Sequence, residues 1–163
     1  MSQILSTRRD FLTAATGAAL ITGASGLLMP AHAQGLAATQ TMRGGANNYM
    51  PGAPVVSRIG KGGFLMSGTV RSAGDGKPLA GMRIQIWAHT TEGREDEWHS
   101  HGATLSDAEG RFRMDMPQIV PAFGQAHGHL AFEGAGFQTV FLRPVMASPR
   151  DTRLSADFVL QPA

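Results

Sequence analysis

The sequence from residue 34 onwards predicts an all-β domain, specifically an antiparallel β-sandwich. No convincing helical stretch occurs in this part of the chain, and about seven short apolar runs recur at a spacing of roughly 8–12 residues. Glycine, proline and aspartate cluster between the runs, where they favour tight turns. The alternating apolar residues of the runs are sufficient for the core of one domain.

Each run has its own reason to be a strand. Residues 82–88 alternate most clearly, because an apolar residue occupies every second position. Residues 111–116 are expected to turn Phe112, Met114 and Met116 inward, after a D-A-E-G turn at 107–110. In chain order the predicted strands cover residues 64–70, 82–88, 98–105, 111–116, 127–132, 137–142 and 156–160.

Two segments precede the strands. Residues 1–33 resemble a twin-arginine signal peptide, with T-R-R-D-F-L at 7–12, a mildly apolar run and an A-H-A cleavage site at 31–33. We therefore expect the twin-arginine export machinery to be a partner and the mature protein to be periplasmic or secreted. No stable membrane span is expected after cleavage, since the run is too weakly apolar. Residues 34–62 are expected to form a flexible N-terminal arm, and residues 63–163 a β-sandwich metal-binding domain.

Composition excludes several classes of function. Once the signal is set aside, twelve basic and eleven acidic residues remain without a basic cluster, so nucleic acid is not an expected partner. The chain has no cysteine, which excludes disulfides and thiolate metal sites. A metal ion would have to use imidazole, carboxylate, tyrosine, methionine or water as ligands.

Two histidine pairs are the most informative feature of the chain. His99 and His101 are separated by one residue, and so are His127 and His129. On a strand this spacing puts both rings of a pair on the same face, about 7 Å apart. Two such strands can bring four imidazoles to one metal ion inside the sandwich, although solvated surface histidines are the alternative for each pair.

Three stretches together resemble the intradiol ring-cleavage dioxygenase family. They are G-T-V at residues 68–70 followed by K-P-L-A-G-M-R-I-Q-I-W at 77–87, then L-S-D-A-E-G-R-F at 105–112, and finally H-G-H at 127–129. The resemblance implies a β-sandwich of the intradiol dioxygenase or transthyretin-like type. It also implies a ferric ion held by two tyrosines and two histidines, with His127 and His129 as the two histidines.

The tyrosines of that family pattern are missing. Tyr49 is the one tyrosine of the chain, and it lies in the arm. We expect one or both of His99 and His101 to replace the phenolates, with Glu95, Asp96, Glu97 or Asp107 adding a carboxylate or fixing a ring tautomer. Neutral imidazoles suit Cu(II), Fe(II), Ni(II) or Zn(II) better than Fe(III). One metal ion is expected, iron by the resemblance and copper as the alternative.

These observations favour an exported, metal-dependent dioxygenase-like protein. Its expected substrates are a small catechol or related phenolic compound and O₂, as in the catabolism of aromatic compounds, and a homo-oligomer is possible. The alternatives are a non-catalytic periplasmic β-sandwich module that binds copper or zinc, and a transthyretin-like binding domain. Two side chains stay ambiguous: Tyr49 either folds over the site or packs on the domain surface, and Trp98 either walls a pocket or anchors a strand.

Overall fold

The computed structural model describes residues 35–134 and 136–163, and these form two packed β-sheets. The predicted signal peptide, residues 1–33, lies outside the described residues. Within them, no helix is long and apolar enough to cross a membrane. The strands are β1 (Phe64–Ser72), β2 (Arg83–Ala88), β3 (His101–Leu105), β4 (Arg111–Met116), β5 (Gly128–Phe132), β6 (Val140–Leu142), β7 (Arg153–Ser155) and β8 (Phe158–Leu160).

One sheet consists of β4, β1, β7 and β8, and the other has the order β3-β2-β5-β6. Neighbouring strands are antiparallel throughout the second sheet and between β1 and β4. The pairs β1–β7 and β1–β8 are parallel, which the sequence pattern did not predict. Asp157 separates β7 from β8, and its Oδ1 accepts hydrogen bonds from the backbone N and the hydroxyl of Thr69.

The hydrophobic core lies between the two sheets. The expected inward faces are confirmed for β4 (Phe112, Met114, Met116) and for β2 (Ile84, Ile86, Ala88). The side chains of β5 alternate in the same way, so that its apolar residues enter the core while its histidine points to the opposite face. The sandwich predicted from the sequence is therefore confirmed.

The arm packs on the sandwich. Its backbone bonds to the edges of both sheets, at Val159, Phe141, Ala103 and Asp115. Such contacts occupy backbone groups that an exposed edge strand would otherwise leave unpaired. The outer face of β2 is also covered, because Gln85 Nε2 donates to the Met50 carbonyl and Trp87 Nε1 donates to that of Asn47.

Differences from the predicted strands are concentrated at short segments. Residues 98–100 form a 3₁₀ turn rather than the start of β3. Residues 137–139 do not join β6, although Phe137 makes an isolated bridge with Pro162. β7 was not predicted, since three residues are too few to show an alternating pattern.

Leu130 and Leu105 offer a matched test of this core. Leu130→Ala removes a fully buried side chain between the sheets, whereas Leu105→Ala shortens one that is half exposed. We expect Leu130→Ala to lower the free energy of unfolding by about 2–5 kcal/mol and Leu105→Ala by under about 1 kcal/mol. Urea denaturation measures both; equal losses would contradict the assignment of the core.

Candidate metal centre

Three aromatic side chains form a row across the outer face of the second sheet. Trp87 on β2 is paired in register with His101 on β3 and with His129 on β5. Its ring stacks on both imidazoles, at centroid distances of 5.4 Å to His101 and 5.1 Å to His129. The strand register therefore determines the position of His129 beside Trp87, and stacking on Trp87 determines the plane of its ring.

His127 and His129 lie on the same face of the chain, as their spacing predicts. Their ring centroids are 5.0 Å apart. The Nδ1–H of His127 donates to the carbonyl of Gln125 over 2.7 Å, and that of His129 donates to the carbonyl of Gly45 over 3.0 Å. A carbonyl can only accept, so the Nδ1 of His129 carries the proton. The Nδ1 of His127 also lies 3.3 Å from Arg143 Nη2, which is a donor, but the Gln125 carbonyl is nearer at 2.7 Å and accepts the hydrogen bond from this nitrogen. Each Nε2 therefore keeps its lone pair. Both lone pairs are then free to bind a cation.

Glu95 brings a carboxylate to these two nitrogens. Its Oε2 lies 3.5 Å from the Nε2 of His127 and 3.5 Å from the Nε2 of His129. Its Oε1 accepts a hydrogen bond of 2.8 Å from Asn48 Nδ2, which turns the other oxygen towards the histidines. Glu95 belongs to the loop between β2 and the 3₁₀ turn, and it is one of the four acidic residues considered from the sequence.

The three side chains are almost completely buried, with exposures of 5 % for Glu95, 2 % for His127 and 0 % for His129. Among the described residues, Glu95 Oε2 and His129 Nε2 have no hydrogen-bond partner. Leaving such atoms buried and unpaired is costly. One ligand atom from each residue lies within 4.8 Å of the others, and the group could hold a metal ion.

The separations fit a small divalent ion. Ligand atoms about 2.0–2.2 Å from a tetrahedral zinc ion stand about 3.4 Å apart, close to the 3.5 Å found between Glu95 Oε2 and each imidazole. Burial lowers the pKa of His129, and the charges of His127 and Arg143 lower it further. The Gly45 hydrogen bond and the Glu95 charge act in the opposite direction. A neutral His129 is the form that binds metal.

The structure does not bring His99 and His101, the expected replacements of the missing tyrosines, into the group that Glu95 forms with the other histidine pair. His99 lies in the 3₁₀ turn, and its side chain is 66 % exposed. His101 is buried, but its Nε2 donates to the backbone carbonyl of Glu95 over 2.9 Å and its Nδ1 faces the Gln85 amide at 3.3 Å. Both nitrogens of His101 are therefore occupied. Burial lowers its pKa, against the opposing hydrogen bond to Glu95.

The site lies in a different place from the one expected. The sequence suggested convergence inside the sandwich, but the histidines face outward from the second sheet, where the arm and the Glu95 loop cover them. The alternation of β5 explains this, because Leu130 and Phe132 fill the core, so that His129, which precedes Leu130, points to the opposite face.

A turn of the arm, residues 43–48, completes the site. Gly45 supplies the carbonyl that holds His129, and a Cβ at this position would lie 2.7 Å from the carbonyl oxygen of Phe141. Asn48 has a φ of 58°, a conformation that asparagine adopts more readily than most residues. These residues belong to the predicted arm, and nothing in their sequence pattern predicted a contact with a site on the sheet.

A pocket of about 320 Å³ opens over Glu95. Its other lining residues are Asn48, His89, Arg94, Asp96, Ala122 and Phe123. Phe123 is 91 % exposed at its rim. A larger groove of about 890 Å³ lies against β1 and β4; Asp107 lines it, but Glu95, His127 and His129 do not.

Tyr49 packs on the domain instead of entering the site. Its ring contacts Trp87 and Phe141, and its hydroxyl donates to Glu133 over 2.6 Å. Burial, with the hydrogen bond and charge of Glu133, raises the pKa of Tyr49 to about 12. The Tyr49 hydroxyl is thus held in its neutral form, away from Glu95. Trp98 is half exposed and stacks on His101.

Comparisons with known proteins show the fold. Neither a protein-family model nor a curated protein matches this sequence. Similar solved structures include hydroxyquinol 1,2-dioxygenase from Pseudomonas putida DLL-E4, with 17 % identity, a TM-score of 0.59 and coverage of 81 % of this chain and 69 % of that one. Another is 3-chlorocatechol 1,2-dioxygenase from Rhodococcus opacus 1CP, with 16 % identity, a TM-score of 0.58 and coverage of 80 % and 76 %.

A third similar structure is smaller. It is the dioxygenase domain of a dioxygenase–carbohydrate-binding protein fusion from Streptomyces sp. SirexAA-E, with 17 % identity and a TM-score of 0.57. The match covers 77 % of this chain and 99 % of that domain. The chain therefore shares the β-sandwich of these dioxygenases at a low level of sequence identity.

The hydrogen bonds of the site predict the tautomers of three histidines. At neutral pH and without added metal, His127 and His129 should carry the proton on Nδ1, and His101 should carry it on Nε2. Long-range ¹H–¹⁵N correlation spectra of the imidazoles distinguish the two forms. The exposed His99 serves as an internal reference, and an Nε2-protonated His129 would contradict the arrangement described here.

Proposed function

We propose that the protein is a metal-dependent oxidoreductase of dioxygenase type that acts on a catechol or a related small phenolic compound. The observation that carries the proposal is the convergence of Glu95 Oε2 with the Nε2 atoms of His127 and His129 in a buried site. Within the part of the chain that the structure describes, Glu95 Oε2 and His129 Nε2 have no hydrogen-bond partner there. The dioxygenase fold of the chain supports the reaction type.

The ligand set favours a divalent ion. Two imidazoles and one carboxylate are the protein ligands of many non-haem Fe(II) oxygenases, and they also suit copper and zinc. A ferric site with two tyrosinates does not fit this chain, because Tyr49, its one tyrosine, is bound to Glu133. We therefore propose Fe(II) as the metal, with copper as the alternative, and Glu95 in place of a phenolate.

The surrounding residues prepare the three ligands before metal binding. The carbonyls of Gln125 and Gly45 hold the rings of His127 and His129 in the tautomer that exposes Nε2. Asn48 orients the carboxylate of Glu95. When bound, a redox-active metal ion supplies a Lewis acid for a phenol oxygen and exchanges electrons with O₂.

The pocket over Glu95 gives the site its proposed route for substrate. Its volume of about 320 Å³ suits a single small aromatic ring, and Phe123 places an apolar ring at the rim. Arg94 and His89 also line it and can donate hydrogen bonds to phenol oxygens. Burial of the ligands keeps bulk water from them, which strengthens electrostatic interactions within the site.

A second candidate function follows from the depth of the same site. All three candidate ligands are at most 5 % exposed, and neither His127 nor His129 lines the pocket. A closed site of this kind also suits a module that holds copper or zinc without catalysis. The two candidates share their ligands and differ in whether O₂ and a phenol are consumed.

Metal binding is tested by replacing the carboxylate. The protein should bind one Fe(II), Cu(II) or Zn(II), and Glu95→Gln should lower the affinity by at least roughly 100-fold, because it removes the one charged ligand. Asp96→Asn is the matched control, since it removes an exposed neighbouring charge and should change the affinity by less than about threefold. Calorimetric titration against a competing chelator measures both variants.

Oxygen uptake then separates the two candidate functions. Fe(II)-loaded protein should consume O₂ when catechol is added, and the loss of metal in Glu95→Gln should abolish that uptake. Binding of metal without O₂ uptake on a panel of catechols would favour the non-catalytic module. Failure of the unaltered protein to bind any of the three ions would overturn both.

We also propose that the protein is exported as residues 1–33 suggest. Replacing Arg8 and Arg9 together with lysine should leave most of the chain as uncleaved precursor inside the cell, because the resemblance depends on that arginine pair. Immunoblots of cell fractions measure the distribution. Replacing Thr7 with alanine is the control, and equal export of the lysine variant and the control would argue against the twin-arginine route.

A further inference from the structure

Four aromatic rings form a continuous stack from the candidate metal centre to the protein surface. His129 lies 5.1 Å from Trp87, Trp87 lies 5.4 Å from His101, and His101 lies 6.4 Å from Trp98. The successive interplanar angles are only 11°, 9° and 15°. We call these four residues the aromatic stack.

The two ends of the aromatic stack differ sharply in environment. At the inner end, His129 is fully buried and its Nε2 faces Glu95. At the outer end, Trp98 stacks on His101 and is 50 % exposed to solvent, which is a high exposure for a tryptophan. The stack thus connects a buried candidate ligand with solvent across three strands of one sheet.

The chemical order of the rings suits the movement of single electrons. Both tryptophans of the chain belong to the aromatic stack. Indole is among the most easily oxidised side chains, whereas a neutral imidazole is much harder to oxidise. Trp87 and Trp98 can each lose an electron, and His101 between them provides the overlapping ring that couples the two.

We propose that the aromatic stack removes oxidising equivalents from the metal centre and delivers them to Trp98, which protects the ligands when no substrate is present. This inference rests on the proposed function, because it needs a redox-active metal ion at Glu95, His127 and His129. It adds a role for Trp87, His101 and Trp98 that metal binding alone does not require.

Electrons move from Trp98 through Trp87 to the metal centre one at a time. After a peroxide has oxidised the loaded site, Trp87 gives one electron to the site, and Trp98 gives one electron to Trp87. Trp98 then releases its Nε1 proton to water, and a small reductant such as ascorbate returns one hydrogen atom to it. A second, identical cycle uses the other oxidising equivalent, so that one H₂O₂ and two hydrogen atoms give two H₂O. Without a reductant, a second electron follows the same route and water adds to the ring. The sum is then one tryptophan and one H₂O₂ converted to one hydroxytryptophan and one water.

The surroundings of Trp87 make its oxidation reversible. Its Nε1–H donates to the carbonyl of Asn47 over 3.0 Å, and a carbonyl is too weak a base to remove that proton. Tyr49 is the competing electron donor to oxidised Trp87, and its ring centroid lies 5.6 Å from that of Trp87 with a tilt of 43°. Oxidation of Tyr49 must also move its proton to Glu133, whereas the stacked route to Trp98 needs no proton transfer before the surface.

The experiment maps oxidation products by peptide mass spectrometry. The mature protein is loaded with Fe(II) and treated with limiting H₂O₂, without substrate or ascorbate. Trp98 should be the main oxidised residue, and ascorbate should suppress its oxidation. In Trp87→Phe, oxidation of Trp98 should fall at least tenfold while oxidation of His127 and His129 rises, since phenylalanine keeps a ring but resists oxidation.

Controls distinguish oxidation through the aromatic stack from oxidation by radicals that diffuse in solution. Phe123 is 91 % exposed and reports such radicals through its own hydroxylation. Trp98→Phe is a second variant at an exposed position, in which oxidation of the two histidines should also increase. Metal-free protein should show no preference for Trp98.

The results distinguish failure of the proposed electron transfer from failure of the proposed metal centre. Unchanged oxidation of Trp98 in Trp87→Phe, or oxidation that appears mainly at Tyr49, would overturn the proposed electron transfer along the aromatic stack while leaving metal binding intact. Unchanged oxidation of the histidines in Trp98→Phe would do the same. Failure of the unaltered protein to bind Fe(II) or Cu(II) would instead overturn both the proposed metal centre and the proposed electron transfer.

Discussion

Two hydrogen bonds from imidazole Nδ1 atoms to backbone carbonyls determine the chemistry of the candidate site. One joins His127 to Gln125, two residues earlier in the chain, and the other joins His129 to Gly45, 84 residues away. Together they direct both Nε2 lone pairs at Glu95. Without them either ring could present an N–H to the carboxylate and make an ordinary buried hydrogen bond, so a metal ion would not be needed.

Much of the fold was predictable because its signals are local. The alternation in β2 and β4 identified their inward faces, and the H-x-H spacing placed His127 and His129 on one face of the chain, although we expected that face to point into the sandwich. Residues 98–100 misled because a strand was assumed where the chain forms a 3₁₀ turn, which directs His99 into solvent. His127 lies one residue before β5 but makes a β-bridge with Val145, so the chain between the two histidines is extended and the spacing gives them a common face.

The rest of the site could not be read from the sequence because it depends on long-range contacts. Glu95 was one of four acidic candidates, and nothing local distinguishes it from its neighbours. Its selection comes from the loop after β2, where His101 binds its carbonyl and Asn48 binds its carboxylate. The parallel pairing of β7 and β8 with β1 is likewise a tertiary feature, since the two strands have only three residues each.

The arm turn also bears on how such a site changes during evolution. It contributes carbonyl oxygens to His129 and Trp87, and every amino acid carries a carbonyl oxygen. Substitutions elsewhere in the turn therefore preserve these bonds, whereas three positions are constrained: Gly44 by its φ of 74°, Gly45 by the lack of room for a side chain, and Asn48 by the use of its amide. Descendants of this chain are expected to vary at the other positions of the turn while keeping the same site.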